Sequence, residues 1–339
     1  MAELDAGRQP APDSPDTTFV VLNWNGRAFL EVVLPSIFAQ TARGFVVHVV
    51  DDASTDDSRE YVEREWPHVM FIAHSENVGL TRNMNRAIGS ASTPYIALLN
   101  NDLELDRDWL AAMRRALEAH PEAAAADCKM LDYHHRERLD GAGDLLTRSM
   151  LPGRRGNGEL DEGQYDQPAE VFSVCCGAAL FRRSAFEEVG TFDGDLFAYY
   201  EDLDWGFRAR LLGYTARYVP AAVAFHMGSA TMNQKHGRWS HLFPRNQIYV
   251  TVKTLPGRLA IRYLPRIAVS ELAWLRADLR RGLGRKHLEG WRQALGMLPL
   301  ALRKRREIQR RRRVSAASLD AALSPAPGGW DGLRARRSR

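Results

Sequence analysis

The strongest constraint on this chain's fold is a series of short apolar runs that stop abruptly at acidic or amide residues. Val46–Val50 runs into Asp51-Asp52, and Tyr95–Leu99 runs into Asn100-Asn101-Asp102. Runs of this length without polar alternation read as strands buried on both faces, the habit of parallel sheets. Thr18–Leu22 stops in the same way at the turn-forming cluster Asn23-Trp24-Asn25-Gly26, and Val69–Ala73 supplies a further strand. Helical spacing fills the intervals. Phe29, Leu30, Val33, Leu34, Ile37 and Phe38 recur along one face, with Pro35 at a kink or early turn. Tyr61, Val62 and Trp66 follow the capping cluster Ser54-Thr55-Asp56, and helices are predicted around Leu80–Ile88 and Arg107–Ala119. Repeated β–α units of this length predict an α/β fold, a mostly parallel sheet with helices on both faces. The acidic motifs then lie at strand C-terminal ends, where open α/β sheets bind ligands.

After Asp132 the pattern loosens. Residues 132–170 are polar and Gly-rich and are expected to form a long excursion over the site. Order returns with Val171–Arg182, a helix from Glu201 to Leu212, and short strands at Thr215–Val219 and Ala222–Phe225. The expected organisation is a disordered leader over 1–16, a sheet domain over 17–240, a basic amphipathic helical extension over 241–323, and a disordered tail over 324–339. Charge separates the body from the extension. Residues 241–339 hold 23 Lys and Arg against 6 Asp and Glu, while residues 1–240 hold 23 against 36. A basic arm on an acidic body calls for an anionic partner, and a membrane leaflet or a nucleic acid qualifies. Leu264, Ile267, Leu272, Leu275 and Leu279 interleave with Arg262, Arg266, Arg276 and Arg280, which favours a membrane surface. The competing reading is a salt-bridged helical cap on the acidic body. The stretch 303–313 is too charged to be core.

The three cysteines, Cys128, Cys175 and Cys176, have no CxxC spacing and read as free thiols in a reducing compartment. The N-terminus carries neither the basic nor the apolar region of a signal peptide, and no uncharged apolar run reaches about 18 residues. The expectation is a cytoplasmic protein that does not span a membrane.

Several clusters have the residue types that chemistry needs. Asp51 and Asp52 at a strand end suit the imide N–H of a uracil or thymine ring, or a ribose hydroxyl, and equally suit the N-terminal dipole of the following helix. Asn77-Val78-Gly79-Leu80-Thr81-Arg82 opens a helix, where free N–H groups, close backbone approach at Gly79 and the Arg82 guanidinium suit a diphosphate. Asp102 supplies a hard oxygen ligand for Mg²⁺ or Mn²⁺, and His226, after a predicted strand, is the candidate second ligand. Glu201, Asp202 and Asp204 crowd a helix start among Phe197, Tyr199, Tyr200 and Trp205. Apolar surroundings raise a carboxylate's proton affinity towards the range of a general base. Trp205, three residues after Asp202, offers a stacking surface for a sugar. No GxGxxG or GxxxxGK[ST] occurs, so dinucleotide dehydrogenases and P-loop enzymes fit poorly. His134-His135 has no companion cluster and reads as a surface feature.

The ordered set VVLNWNG, VVDDASTDDS, ENVGLTRNMNRAI, YIALLNNDLEL, CGAALFRRSAFEEVGTFD, FAYYEDLDWGFRARLLGY and FHMGS resembles the family-2 inverting glycosyltransferases of the GT-A fold, over about residues 17–240. The resemblance implies a donor site at Asn23, Asp51, Asp52, Asn77, Gly79, Arg82, Asn101 and Asp102, and a divalent metal, Mn²⁺ or Mg²⁺, on Asp102 and His226. Asn100 stands where many members have another Asp. Asp202 matches the family's base and Glu201 its acidic partner, with Gly177 and Trp205 on the acceptor side. The implied reaction is a single displacement from a dTDP- or UDP-linked sugar, dTDP-rhamnose being the leading candidate, to a glycan or lipid-linked acceptor. The pattern is most similar to bacterial rhamnosyltransferase-type enzymes of cell-surface polysaccharide, acting at the inner face of the membrane.

Two other classes fit less well. A sugar-phosphate nucleotidyltransferase needs a Gly-rich loop where Asn23-Trp24-Asn25-Gly26 stands, and a nucleic-acid-binding protein leaves the acidic motifs unexplained.

Overall fold

The computed structural model describes residues 15–228 and 239–325. Residues 1–14 of the expected leader over 1–16, residues 326–339 of the expected tail over 324–339, and Ser229 of the FHMGS motif lie outside the described residues.

The parallel core forms where the apolar runs predicted it. β1 (Thr17–Asn23), β2 (Phe45–Asp51), β3 (Met70–Ala73) and β4 (Tyr95–Asn100) alternate with α1 (Arg27–Phe38), α2 (Ser58–Glu65), α3 (Leu80–Ser90) and, after the short β5 (Leu103–Leu105), α4 (Trp109–Ala119). Pro35 is accommodated inside α1. Every residue of β1 is buried, because alternate side chains serve opposite layers. Phe19 and Val21 pack with Leu30, Leu34 and Trp109 on one face, while Val20 and Leu22 pack with Met84 and Ile88 on the other.

The second half extends the sheet. β6 (Ala123–Asp132), β7 (Leu139–Gly141), β8 (Asp144–Leu146), β9 (Pro152–Arg154), β10 (Ala169–Val171) and β11 (Ala178–Arg182) precede α5 (Arg183–Val189), α6 (Glu201–Leu211) and β12 (Thr215–His226). The main sheet has the order β10-β12-β6-β11-β4-β1-β2-β3, with β5 on β12 and β7 on β6, while β8 and β9 form a separate ribbon. β11 enters antiparallel between β4 and β6. The two short strands expected at Thr215–Val219 and Ala222–Phe225 are one strand, β12, with a register shift between Val219 and Val223. Sequence reads such an irregularity as a break.

The basic extension is a docked cap. α7 (Leu242–Thr254), α8 (Gly257–Arg280), α9 (Gly284–Arg311) and α10 (Ala316–Ala322) close over α6, whose Leu203, Phe207 and Leu211 share a core with Tyr249, Leu255, Leu259, Tyr263, Ala301 and Leu319. Lys253 is fully buried, and its ammonium meets Asp193 at 2.5 Å and Asp204 at 2.6 Å. Lys304 meets Asp193 at 2.6 Å and Asp195 at 2.7 Å. The charged stretch 303–313 is therefore partly integrated into the packing. Arg305 donates to the carbonyls of Val252 and Leu255, and Gln309 to that of Thr254. Part of the positive count is thus used within the protein, by Lys253 and Lys304 on acids of the body and by Arg305 on carbonyls of the extension itself.

Asn246 on α7 has a second task. Phe197, Tyr199 and Tyr200 all hold positive φ angles, of 65°, 68° and 70°, a conformation that bulky residues adopt only when their surroundings impose it. The fully buried Asn246 places Nδ2 within 3.2 Å of the Leu196 carbonyl and 2.8 Å of those of Ala198 and Tyr199. The cap thus sets the backbone that leads into Glu201-Asp202. Replacement Asn246→Ala takes the donor from the Ala198 and Tyr199 carbonyls, at about 1–3 kcal/mol, while the Leu196 carbonyl keeps Arg245 and the Ala198 N–H. Urea unfolding is expected to show that loss, and limited proteolysis to cut first within 195–200.

Candidate active site

The C-terminal ends of β1, β2 and β4 converge because these strands are parallel neighbours. Ala53, at φ 59°, turns the chain sharply after β2 and returns Ser54 to Asp51. Ser54 N donates to Asp51 Oδ2 at 2.8 Å, Ser54 Oγ bonds Oδ1 at 2.5 Å, and Asn23 Nδ2 donates to Oδ1 at 2.8 Å. Asn101 Nδ2 in turn donates to Asn23 Oδ1 at 2.8 Å. Asn23, Asp51 and Asn101 therefore form one buried chain across three strand ends.

Asp52 is committed to the protein itself. Its carboxylate accepts Val78 N at 2.8 Å and Gly79 N at 3.1 Å, tying β2 to the start of α3. Burial raises the proton affinity of this carboxyl, partly offset by those two N–H groups. Asp52 thereby holds the 77–79 turn, as Asp51 holds the turn at Ser54. Gly79 has φ 86°, and a Cβ there would lie 2.4 Å from the Phe197 ring, so only glycine fits. Asn77 is exposed, with a long 3.5 Å contact to the Asp52 carbonyl, and Arg82 is exposed on the first turn of α3.

Asp102 and His226 meet for a topological reason. β5 pairs antiparallel with β12 in the register Leu103 opposite His226, which brings Asp102 Oδ2 to 3.4 Å from His226 Nε2. The other ring nitrogen, Nδ1, lies 3.0 Å from Asp140 Oδ2, delivered by β7. Against the desolvation that burial imposes, hydrogen bonds to Asp102 and Asp140 push the His226 imidazole up to about 9. Asp140 also receives Arg154 at 2.7 Å. Asp102 with His226 fits a divalent ion in donor chemistry, one hard oxygen and one imidazole whose second nitrogen is oriented by a carboxylate. Among the described residues no group of three or more His, Cys, Asp or Glu is arranged to hold an ion. The pair alone therefore suits an ion whose remaining ligands come from a phosphate-bearing substrate and water.

The third group gathers at the start of α6. Asp144 stands opposite Arg154 in the β8–β9 ribbon and shares a hydrogen bond with the Asp202 carboxyl. Ser173 links the same elements, accepting Asp144 N through its carbonyl and donating Oγ to the Asp202 carbonyl at 2.8 Å. Burial first, then the charges of Asp144 and Glu201, raise the Asp202 carboxyl well above the carboxylate range. Burial likewise pushes Glu201 up to about 7 and, with Asp144 nearby, Asp127 up to about 8. Arg154, within 3.4 Å of Asp144 and 2.7 Å of Asp140, is the cation these acids share.

One expected site residue is corrected. Trp205 is buried in an aromatic core with Phe181, Phe186 and Phe192, and its Nε1 donates to the Gly190 carbonyl at 2.9 Å. Its ring has no face for a sugar, because position 205 looks into the sheet. Gly177 lies where β11 begins, its carbonyl accepting Asn100 N at 2.8 Å. Asp127, Asp140, Asp144 and Arg154 escaped the sequence reading altogether. The available signal was Asp140-Gly141-Ala142-Gly143-Asp144, two acids spaced by small residues inside the excursion predicted to cover the site.

The model of glycosyl transferase family 2 matches residues 18–190, just over half of the chain. An N-acetylglucosaminyl-diphospho-decaprenol L-rhamnosyltransferase of Mycobacterium tuberculosis is 27% identical over 236 residues, covering 61% of this chain and 74% of that protein. Among solved structures, GalNAc-T7 with UDP, GalNAc and Mn²⁺ aligns with a TM-score of 0.60 at 14% identity, covering 86% of this chain and 60% of that one. A mannosyltransferase, PcManGT from Pyrobaculum calidifontis, in complex with GDP-Man and Mn²⁺, aligns with a TM-score of 0.51 at 20% identity over 99% of this chain and 85% of that one. These likenesses show a shared GT-A fold.

The His226 environment yields a prediction independent of any ligand. A folded-state value near 9, above the ordinary 6.5, means that the charged imidazole stabilises the protein fully below about pH 6.5. That contribution disappears as pH rises through about 9. NMR titration of the His226 ring should report a midpoint near 9 in the wild type, and a lower one in Asp140→Asn.

Proposed function

The chain belongs to glycosyl transferase family 2, a hexosyltransferase-type glycosyltransferase, and from that premise we propose that it moves a sugar from a dTDP- or UDP-linked donor to a glycan or lipid-linked acceptor by a single inverting displacement. The observation that carries this reading is the half-buried Asp202 carboxyl, of raised proton affinity, which Asp144, Arg154, Asp140 and His226 connect in turn to Asp102 at the next strand end. A base that must take a proton from a hydroxyl works best when its own affinity approaches the operating pH.

In this reading Asp202 accepts the acceptor's proton as the oxygen attacks the anomeric carbon opposite the departing diphosphate. Glu201 is more enclosed and serves to hold charge beside it. Asp51, fixed by Asn23 and Ser54, recognises the nucleoside, with Asp52 holding the adjoining turn, while the exposed Arg82 meets the diphosphate. Asp102 and His226 would hold Mn²⁺ or Mg²⁺, which when bound supplies positive charge to the leaving group. Binding requires His226 to lose the proton that Asp102 and Asp140 favour, so metal affinity rises with pH. A rhamnosyl donor, dTDP-rhamnose, is supported by the name of the mycobacterial relative, and so is a lipid-linked acceptor. The setting that follows is cell-surface polysaccharide synthesis at the inner face of the membrane, with the basic C-terminal helices meeting anionic lipid. Among the described residues no helix is long and apolar enough to cross a membrane, so attachment would be peripheral.

Asp202→Asn should cut transfer by roughly 10²–10⁴ while donor binding, followed by calorimetry, stays near normal. Turnover close to wild type in this variant would reassign the base. A second substitution tests the neighbour. Asp144→Asn removes a negative charge that raises Asp202, so Asp202 ionises at lower pH and the acidic limb of the kcat/KM profile moves down the pH scale. An unmoved limb would show that Asp144 does not tune the base.

A further inference from the structure

Large apolar side chains left in solvent concentrate on two helices of the cap. On α8, Ile261 is 80% exposed, Leu264 64%, Leu272 60% and Leu279 59%, and on α9 Leu295 is 64% exposed. The α8 positions share one face, since Ile261, Leu272 and Leu279 are separated by 11 and 7 residues, close to whole turns, and Leu264 lies beside Ile261. At 1.5 Å per residue the row is about 27 Å long. The rest of α8 is fastened: Leu259 and Tyr263, on the far side from the row, pack into the core shared with α6, and Glu271 and Asp278, on its flank, are buried where α8 meets α9. His287, fully buried, joins the two helices through Asp278 at 2.8 Å. A helix that packs inward and still keeps a row of large apolar side chains in solvent is unlike an ordinary surface helix, and an apolar surface of this kind marks an interaction site.

The charges beside the row choose the occupant. Arg258, Arg266, Arg276 and Arg280 are all exposed on α8, within an extension carrying 23 basic against 6 acidic residues. A second copy of this chain would bring like charge against like. An anionic leaflet offers apolar depth to the leucines and phosphate headgroups to the arginines at once.

We propose that α8 is an interfacial membrane helix, lying flat on an anionic leaflet with Ile261, Leu264, Leu272 and Leu279 inserted and its arginines among the headgroups. The proposal rests on the membrane setting read above and adds to it that apolar insertion, not charge alone, holds the protein there. Capping by ion pairs and docking on a membrane then coexist, because Lys253 and Lys304 act from α7 and α9 and the exposed apolar row lies on α8.

The test uses the full chain with vesicles of phosphatidylcholine alone and of phosphatidylcholine mixed with phosphatidylglycerol. The wild type is expected to sediment with the mixed vesicles and not with the neutral ones. The variant Ile261→Ser/Leu272→Ser/Leu279→Ser, altered only at exposed positions, should lose at least tenfold in partitioning while keeping its unfolding midpoint. Arg276→Gln/Arg280→Gln should weaken binding and reduce its salt dependence. Triple-variant sedimentation equal to wild type, or equal wild-type binding to both vesicles, would overturn the proposal. So would a wild-type dimer in light scattering that the triple variant abolishes, which would give the row to a second copy. Sugar transfer to a water-soluble acceptor, measured in parallel, separates the two readings: vesicle binding without transfer would defeat the enzymatic assignment and leave the membrane helix standing.

Discussion

The buried ion cluster around Lys253 is the interaction on which the rest of this structure depends. Its ammonium lies between Asp193 and Asp204, and Asp193 is shared with Lys304. Burial alone would raise the Asp193 carboxyl, but the two lysines hold it below the usual carboxylate range. Asp204 is two residues from Asp202 on α6, while Lys253 and Lys304 lie on α7 and α9. The cluster therefore locks the cap to the helix carrying the proposed base. Deleting one partner from such a cluster costs about 3–5 kcal/mol, because the remaining charge is buried and unpaired. Asn246, on the same face of α7 as Lys253, holds the left-handed backbone of 197–200 just before α6. Local strain at the site and global docking of the cap are one arrangement.

A second economy governs protons in the site. Asp127, Asp144, Glu201 and Asp202 are too close and too dry to ionise together, and Arg154 is the principal cation near them. Arg154 also serves Asp140, which fixes His226 beside Asp102. The acidic centre and the candidate metal pair are therefore coupled through one guanidinium. A change in charge at the diphosphate end, such as arrival of a nucleotide with its ion, alters the field at the Asp202 end through groups already in contact.

Much of this was legible in the sequence wherever local pattern and final environment agree. The strands ending at Asp51 and Asn100 were readable because double-sided burial demands unbroken apolar runs. Asp204 and Arg208, four residues apart on the helix predicted from Glu201, meet at 2.9 Å. Trp205 was misplaced because three-residue spacing from Asp202 identifies a helix but not which side faces the sheet. Asp140, Asp144 and Arg154 were invisible for another reason: their roles come from β7, β8 and β9, strands of three residues each, too short for periodicity to show. Asp52 illustrates a third case: the strand end was readable, but not that its carboxylate would bind the N–H groups of Val78 and Gly79, which lie far along the sequence.

The C-terminal extension shows why net charge cannot choose between partners. Reading it as a membrane arm or as a salt-bridged cap assumed that one surface would carry one property. The extension has several helices, and in this chain Lys253 on α7 and Lys304 on α9 answer the acidic body while the apolar row of α8 stays exposed. Lys253 and Lys304 are spent on Asp193, Asp195 and Asp204, and Arg305 on backbone carbonyls. Those cations cannot also attract lipid. The positive charge available outside is therefore smaller than the sequence total implies, and an electrostatic anchor alone is correspondingly weaker. Apolar insertion along α8 supplies what the spent charges cannot, and it does so at the same helices whose inner faces hold the proposed active site in shape.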